Sequence, residues 1–266
     1  MSKNITLLTD WGTKDANVSR IKAILINRLP GVAITDLSHD VPRHDIREAA
    51  YLLMHSYRNF PKGSIHVVPV GIFATGADIP GMVLAEKDGH YFLAPDNGLL
   101  FAMPDEYAPD KAYICRQYQN NFTTDEWLND ALATIGMAMK GGQVPMQETQ
   151  PFRLPQVPQP QVSPIGVACS ILRKDRYSNL TLNIRKEEFE RLTLGRKFSI
   201  RTFRSKHITS VSEQYNDVAE KEPLCRFNKL NYLEIAVNHG SAMDLFGIDP
   251  ADPAALDFHS VRISLS

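Results

Sequence analysis

The sequence predicts an α/β domain with a largely parallel sheet over residues 1–142 and a smaller β-rich, barrel-like domain over residues 165–266. Two observations carry this. Up to about residue 142, apolar runs of strand length alternate with segments of helical period, the pattern of a sheet with crossover helices. Residues 143–164 are then dense in Pro and Gln with almost no charge, which reads as an ordered interdomain linker. Beyond it the apolar runs are short.

Residues 4–9 form the first buried strand. Val18, Ile21, Leu25 and Leu29 at helical spacing predict a helix from about Asp15 to Pro30-Gly31. Val32–Leu37 is a second strand. Asp45 with Glu48 makes a capping box for a helix carrying Ile46, Ala49, Ala50, Leu53 and Tyr57 on one face. Phe60–Gly63 is a turn, and Ser64–Val70, Gly81–Ala85 and Tyr91–Ala94 are further strands. In the second domain Ile165–Leu172, Leu180–Ile184, Lys197–Phe203, Tyr232–Val237 and Ser260–Leu265 read as strands, with helices only at Glu187–Leu192 and Met243–Phe246.

Bulk composition narrows the function. In 266 residues, Lys plus Arg is 29 and Asp plus Glu is 30, a net charge of -1 that favours neither nucleic acid nor an anionic membrane as partner. The start lacks the apolar stretch of a secretory signal, and no run approaches a transmembrane length. Cys115, Cys169 and Cys225 are isolated and odd in number, as expected of buried thiols in a reducing compartment. The expected location is the cytoplasm.

Candidate chemistry begins at Asp10, where a strand stops and a helix is due. A carboxylate there suits a vicinal diol such as that of ribose, and equally a turn or helix cap. Asp15 and Asn17 suit the ammonium or carboxylate of an amino-acid ligand, or the cap of the next helix. His39, His44, His55 and His66 lack HxxxH or HxH spacing and a nearby cysteine, so no metal is expected. His44, just before the capped helix, can line a pocket. Thr75 lies in Gly71–Ala77, a loop without the GK[ST] of a phosphate-binding loop; it could hold a water or small anion. Thr123-x-x-Glu126 is a capping box, which puts the Thr124 hydroxyl at a helix N-terminus. Tyr177 and Asn179 flank a tight turn, where a ring and an amide suit an adenine edge or a plain turn.

The strings LLTDWGTKDANVSRIKAIL, VAITDLSHDVPRHDIREAAYLL, FPKGSIHVV, YFLAPDNGLL, DRYSNLTLNI and YLEIAVNHGSAMDLFG stand in an order that resembles the S-adenosylmethionine (SAM) hydroxide adenosyltransferases, the family that also contains fluorinase and chlorinase. The likeness spans nearly the whole chain. It implies a homotrimer whose sites lie between the N-terminal domain of one subunit and the C-terminal domain of its neighbour. It also implies a small nucleoside ligand, with SAM as substrate or ligand and no further cofactor. By resemblance Asp10 holds the ribose diol, and Asp15 and Asn17 lie near the methionine end. His44 stands where halogenases carry a tryptophan, Tyr177 and Asn179 receive adenine, and Thr75 and Thr124 match the hydroxyls that cradle halide. Trp11 and Phe122 complete the substrate-binding set.

This sequence departs from the hydrolases at the residues proposed to activate water. Gly71 or Ile72 stands at the Asp position of the VVDPGVG-like motif, no Arg occurs between Arg58 and Arg116, and Thr123 replaces the His of the TFHGRD-like motif. Lys229-Leu230 stand where halogenases have Ser-Arg. The implied reaction is cleavage of SAM to adenosine and methionine by displacement at the ribose C5′. Displacement by another nucleophile and a non-catalytic SAM or adenosine sensor are the alternatives.

Overall fold

A computed structural model of the chain describes residues 4–73, 81–102, 104–119, 121–139, 142–146, 151–152, 159–202, 206–249, 256 and 259–266. Contacts divide it into two units, Met1–Gln156 and Val157–Ser266, so the division falls within the Pro/Gln-rich segment.

The first unit is built on a mostly parallel sheet. Its strands are β1 (Asn4–Leu8), β2 (Ala33–Ser38), β3 (Ile65–Val67), β4 (Gly81–Lys87), β5 (His90–Pro95) and β6 (Lys111–Gln117), in the order β2-β1-β3-β5-β4-β6. β1 runs parallel to β2 and β3, and β3 parallel to β5; β4 is antiparallel to both β5 and β6. β3 is shorter than the sequence predicts. The Val70 N–H turns back to the Val68 carbonyl at 2.9 Å, and Gly71 follows in the left-handed region (φ 61°), so the chain leaves the sheet there. β6 escaped the sequence reading because its burial is irregular, with only Ile114 and Cys115 buried.

Three helices flank the sheet: α1 (Asn17–Arg28), α2 (Ile46–Ser56) and α3 (Thr124–Met139). Alternate strand residues Ile5, Leu7, Ile65, Val67 and Leu93 pack with Ile21 and Leu25 of α1 and with Trp127, Leu128, Leu132 and Ile135 of α3, so these two helices share one face. Asp45 caps α2 as the spacing requires, accepting the Glu48 N–H at 2.9 Å. The expected cap on α1 is corrected: its N-cap is Ala16, without a side-chain bond, and the helix starts after Asp15. On the other sheet face runs a buried polar thread. Thr6 Oγ1 lies 2.8 Å from His66 Nδ1, and His66 Nε2 lies 3.2 Å from His90 Nδ1. Burial and the neighbouring His90 lower the His66 pKa to about 3.

The second unit is an antiparallel sheet of β7 (Gln161–Ser163), β8 (Gly166–Lys174), β9 (Leu180–Arg185), β10 (Phe198–Arg201), β11 (His207–Ile208), β12 (Pro223–Phe227), β13 (Tyr232–Val237) and β14 (Ser260–Leu265). The order is β11-β10-β14-β8-β9-β13-β12, with β7 also on β8, so the last residues of the predicted linker are strand. Val211, just past β11, bridges to Cys225 of β12, and the Ser212 N–H donates to the Cys225 carbonyl at 2.8 Å. The sheet is thereby nearly closed and barrel-like. Gly166 is required where β8 crosses β14, since a Cβ would sit 2.4 Å from the Ile263 carbonyl oxygen. Helices α4 (Lys186–Thr193) and α5 (Ala242–Phe246) pack Phe189, Ala242 and Met243 into the core.

Cys115, Cys169 and Cys225 are buried free thiols, and burial pushes them up to about 11, about 12 and about 12 respectively. Among the described residues no helix is long and apolar enough to cross a membrane, and no group of three His, Cys, Asp or Glu could hold a metal.

Candidate functional site

Beyond the carboxyl ends of β1, β2 and β3, three loops converge on Asp10, the position where open α/β sheets bind ligands. Its side chain is 6% exposed. One oxygen, Oδ2, accepts the backbone N–H of His44 at 3.0 Å and of Gly71 at 3.2 Å, and lies 3.8 Å from His44 Nδ1. Among the described residues no hydrogen bond reaches Oδ1. Both donors come from left-handed residues, His44 at φ 62° and Gly71 at φ 61°. That conformation suits glycine and costs a histidine roughly 1 kcal/mol or more.

The Gly71 loop is itself held from below. Buried Asn97, at the end of β5, donates its side-chain amide to the carbonyls of Val70 (2.9 Å) and Gly71 (3.1 Å). Its carbonyl accepts the Leu99 N–H at 3.2 Å.

Around Asp10 lies a cleft of about 320 Å³. Trp11 and His44 line it beside Asp10, α1 adds Asn17 and Arg20, and α3 adds Thr124, Asp125 and Leu128. Arg20 and Asp125 form an ion pair that ties the two helix starts together. Arg43, Ile72 and Phe73 complete the lining. The capping box of α3 forms through Thr123: its Oγ1 accepts the Glu126 N–H at 3.2 Å, and the Glu126 carboxylate accepts the Thr123 N–H (2.7 Å) and hydroxyl (2.9 Å). Thr123 is thus committed to the helix, while Thr124 faces the cleft.

Of the residues singled out in the sequence, the fold therefore gathers Asp10, Trp11, Asn17, His44 and Thr124. Asp15 is exposed and outside the lining. Phe122 stacks on Tyr118 (centroids 4.5 Å apart) and meets Phe73 at 5.2 Å, so it backs the wall. Thr75 lies outside the described residues. Arg20, Leu128 and Arg43 were missed, although the signal was present. Arg20 is three residues past Asn17 and Leu128 four past Thr124, each on the same helix face, and Arg43 adjoins His44.

In the second unit, Asp175 builds the turn that presents Tyr177 and Asn179. Its Oδ1 accepts the N–H of Tyr177 (2.8 Å) and of Asn179 (2.9 Å), and its Oδ2 accepts the Asn179 amide at 2.9 Å. Tyr177 is 77% exposed, whereas Asn179 is buried. A hollow of about 360 Å³ lies in the same unit, lined by Gln214, Tyr215, Arg226, Asn238 and His239 among others. The Arg226 guanidinium sits 4.5 Å from the Tyr215 ring centre, and the Tyr215 hydroxyl donates to Glu234 at 2.8 Å. Burial raises the Glu234 carboxyl, the Tyr215 bond and Arg226 pull it down, and the charge of Asp175 pushes it up again. In the strand register Glu234 stands opposite Thr181 of β9. Sequence reasoning missed this group because β12 was not recognised. Leu230 is buried.

Comparison with known proteins agrees with this architecture. Residues 5–149 match the model of the SAM hydroxide adenosyltransferase N-terminal domain, and residues 169–255 that of the C-terminal domain. The chain is 24% identical to an (R)-S-adenosyl-L-methionine hydrolase of Thermus thermophilus, over 95% of this chain and 98% of the relative. It is 27% identical to one of Salinispora tropica, over 93% and 95%. A fluorinase of an Actinoplanes species is 22% identical over 88% and 90%. Among solved structures, an uncharacterized conserved protein from Thermotoga maritima superposes with a TM-score of 0.79 at 24% identity, covering 97% of this chain and 99% of that one. With both domains matched in order over most of its length, the chain belongs to the SAM hydroxide adenosyltransferase family.

Proposed function

We propose that the protein binds SAM with its ribose diol on Asp10 and hydrolyses it to adenosine and methionine. The observation that carries this is the Asp10 carboxylate, which lines the cleft: two backbone N–H groups fix Oδ2, while among the described residues no hydrogen bond reaches Oδ1. A diol donating to a pre-oriented, buried carboxylate gains charge-assisted hydrogen bonds. Asn17 and Thr124 serve the methionine end and the nucleophile. Tyr177 and Asn179 take the adenine, supplied by a neighbouring subunit of a homotrimer; the 77% exposure of Tyr177 in the single chain supports that role. Buried free thiols suit a cytoplasmic setting.

In the reaction a water oxygen bonds to C5′ as the C5′–S bond breaks. The electron pair goes to sulfur, giving neutral methionine thioether, and the water gives up its proton to solvent. A sulfonium leaves without protonation, so no general acid is needed. Alignment of water with the C5′–S bond supplies most of the acceleration. The apolar Ile72, Phe73 and Leu128 side chains limit the other waters that reach the centre.

A second reading is binding without turnover. It is favoured by Thr123, whose hydroxyl is spent on the α3 capping box, and by apolar Ile72 at the loop. A general base contributes about 10²–10⁴-fold, so its loss slows hydrolysis without removing binding. Incubation with SAM, following adenosine and methionine, decides between the two. Release above the buffer rate that vanishes in Asp10→Ala supports hydrolysis. Calorimetric binding with turnover at the buffer rate supports the sensor, and no heat with SAM, adenosine or methionine rejects both.

A further inference from the structure

His39 lies next to the turn that carries Asp10 and Trp11, and it touches that turn twice, through its carbonyl and through its ring. Its carbonyl accepts the Gly12 N–H at 2.7 Å, and the preceding Ser38 carbonyl accepts the Thr9 N–H at 3.0 Å. Its ring Nδ1 lies 2.9 Å from the Thr9 hydroxyl, and that hydroxyl oxygen accepts the Trp11 N–H at 3.4 Å. On the far side, His39 Nε2 lies 3.1 Å from Asp36 Oδ1, and Lys22 from α1 donates to Asp36 Oδ2 at 2.5 Å. Thr9 is fully buried and His39 is 6% exposed, so water cannot substitute for either partner.

His39 Nε2 faces Asp36 Oδ1 as a close contact without an aligned hydrogen bond, so the carboxylate acts on the ring through its charge. A carboxylate can only accept, so the Asp36 charge favours the tautomer with the proton on Nε2. Nδ1 is then an acceptor, the Thr9 O–H donates to it, and the Thr9 oxygen is free to receive Trp11. Reversing or deleting the ring nitrogen at Nδ1 leaves the Thr9 proton with no acceptor. The hydroxyl must rotate, and the lone pair that receives the Trp11 N–H is re-aimed.

We infer that His39 is a positioning residue, which sets the Asp10–Trp11 turn through the Thr9 hydroxyl. The three variants that separate this from a merely structural role are Thr9→Val, His39→Gln and His39→Asn. Valine keeps the shape of threonine without the hydroxyl. Glutamine places its amide near the Nε2 position, reaching Asp36 and leaving Thr9 unpaired; asparagine places its amide near Nδ1, keeping Thr9 and losing Asp36.

Two measurements test it. With ¹⁵N-labelled tryptophan the protein gives backbone amide signals from its two tryptophans, Trp11 and Trp127, assigned by Trp127→Phe. The Trp11 signal moves in Thr9→Val and in His39→Gln and returns in His39→Asn. In parallel, calorimetry with adenosine and SAM gives a Kd raised roughly tenfold in Thr9→Val and in His39→Gln, no further in the double variant, and nearly restored in His39→Asn. An unmoved Trp11 signal in His39→Gln, additive losses in the double variant, or equal damage by Asn and Gln overturns the inference. The ligand arm rests on the SAM reading above, whereas the amide arm does not. Wild-type protein that binds neither ligand therefore rejects that reading and leaves the amide signals to decide the role of His39.

Discussion

Asn97 and Gly71 are joined in a way that reaches the ligand site: the Asn97 amide donates to the Gly71 carbonyl at 3.1 Å, while the N–H of Gly71 donates to Asp10 at 3.2 Å. One buried amide therefore fixes the peptide on which the carboxylate leans. Asn97→Ala leaves the Val70 and Gly71 carbonyls and the Leu99 N–H without their partner. A loss of about 1–3 kcal/mol in unfolding free energy is expected by denaturant titration, together with weaker adenosine binding by calorimetry. Unchanged affinity in a destabilised variant would show that the loop does not set Asp10.

Asp10→Asn keeps the size of the side chain and removes its charge. Hydrogen bonds to a charged group are worth about 1.5–3 kcal/mol, so adenosine and SAM affinity should fall by roughly tenfold to a hundredfold. Since the oxygen of the introduced amide can still face the His44 and Gly71 N–H groups, the thermal midpoint should move little.

The proposed sharing of sites between subunits of a homotrimer allows a sharper test. Asp10→Ala and Tyr177→Ala each abolish tight binding, yet subunits carrying either change complement one another when co-expressed. With random assembly, about a quarter of the intersubunit sites carry two intact halves. Calorimetry or turnover on the mixed protein should recover that fraction. No recovery from a mixed trimer places both residues in one subunit's site.

Acid stability follows from His66. Its pKa is about 3 in the folded chain and about 6.5 when unfolded, so the folded state holds the ring neutral. Its contribution is complete above pH 6.5 and is lost as the pH falls from there towards 3, because protonation is available only on unfolding. Between pH 6.5 and 5 the wild-type should lose about 2 kcal/mol by this route. His66→Gln should have a flatter dependence in denaturant titrations at the two pH values, whatever its stability at pH 7. An identical slope in both proteins removes His66 as the cause.

Thiol chemistry should be silent in the native state. The three cysteines are buried with pKa values raised to about 11 and about 12. A disulfide reagent at pH 8 should therefore titrate no thiol in folded protein and all three after unfolding. Rapid reaction of native protein with one equivalent would reveal an opening of the core.

The legible parts of this protein are those whose signal is local. α1 shows its buried face in Val18, Ile21 and Leu25, α2 its cap in Asp45 and Glu48, and α3 its capping box in Thr123 and Glu126. Strand β13 and strand β14 are found where their apolar runs stand. β6 and β12 were not legible because neither alternates: β6 buries only Ile114 and Cys115, and β12 buries Pro223, Leu224 and Cys225 in a row. Arg226 was hidden with β12, and it meets Glu234 and Tyr215 only when β12 pairs with β13 and the 211–217 segment folds over them.

By itself the sequence determined the class of each half, the strand-end placement of Asp10 and the family, since these rest on period, turn chemistry and the order of blocks along the chain. Tertiary structure decided which oxygen of Asp10 the His44 and Gly71 N–H groups engage, and that the His39 ring meets the Thr9 hydroxyl. Those outcomes depend on N–H groups 34 and 61 residues away from Asp10 and on a hydroxyl 30 residues away from His39. Separations of that size carry no local signature; only the closing of β1 against β2 and β3 brings the partners within hydrogen-bond reach.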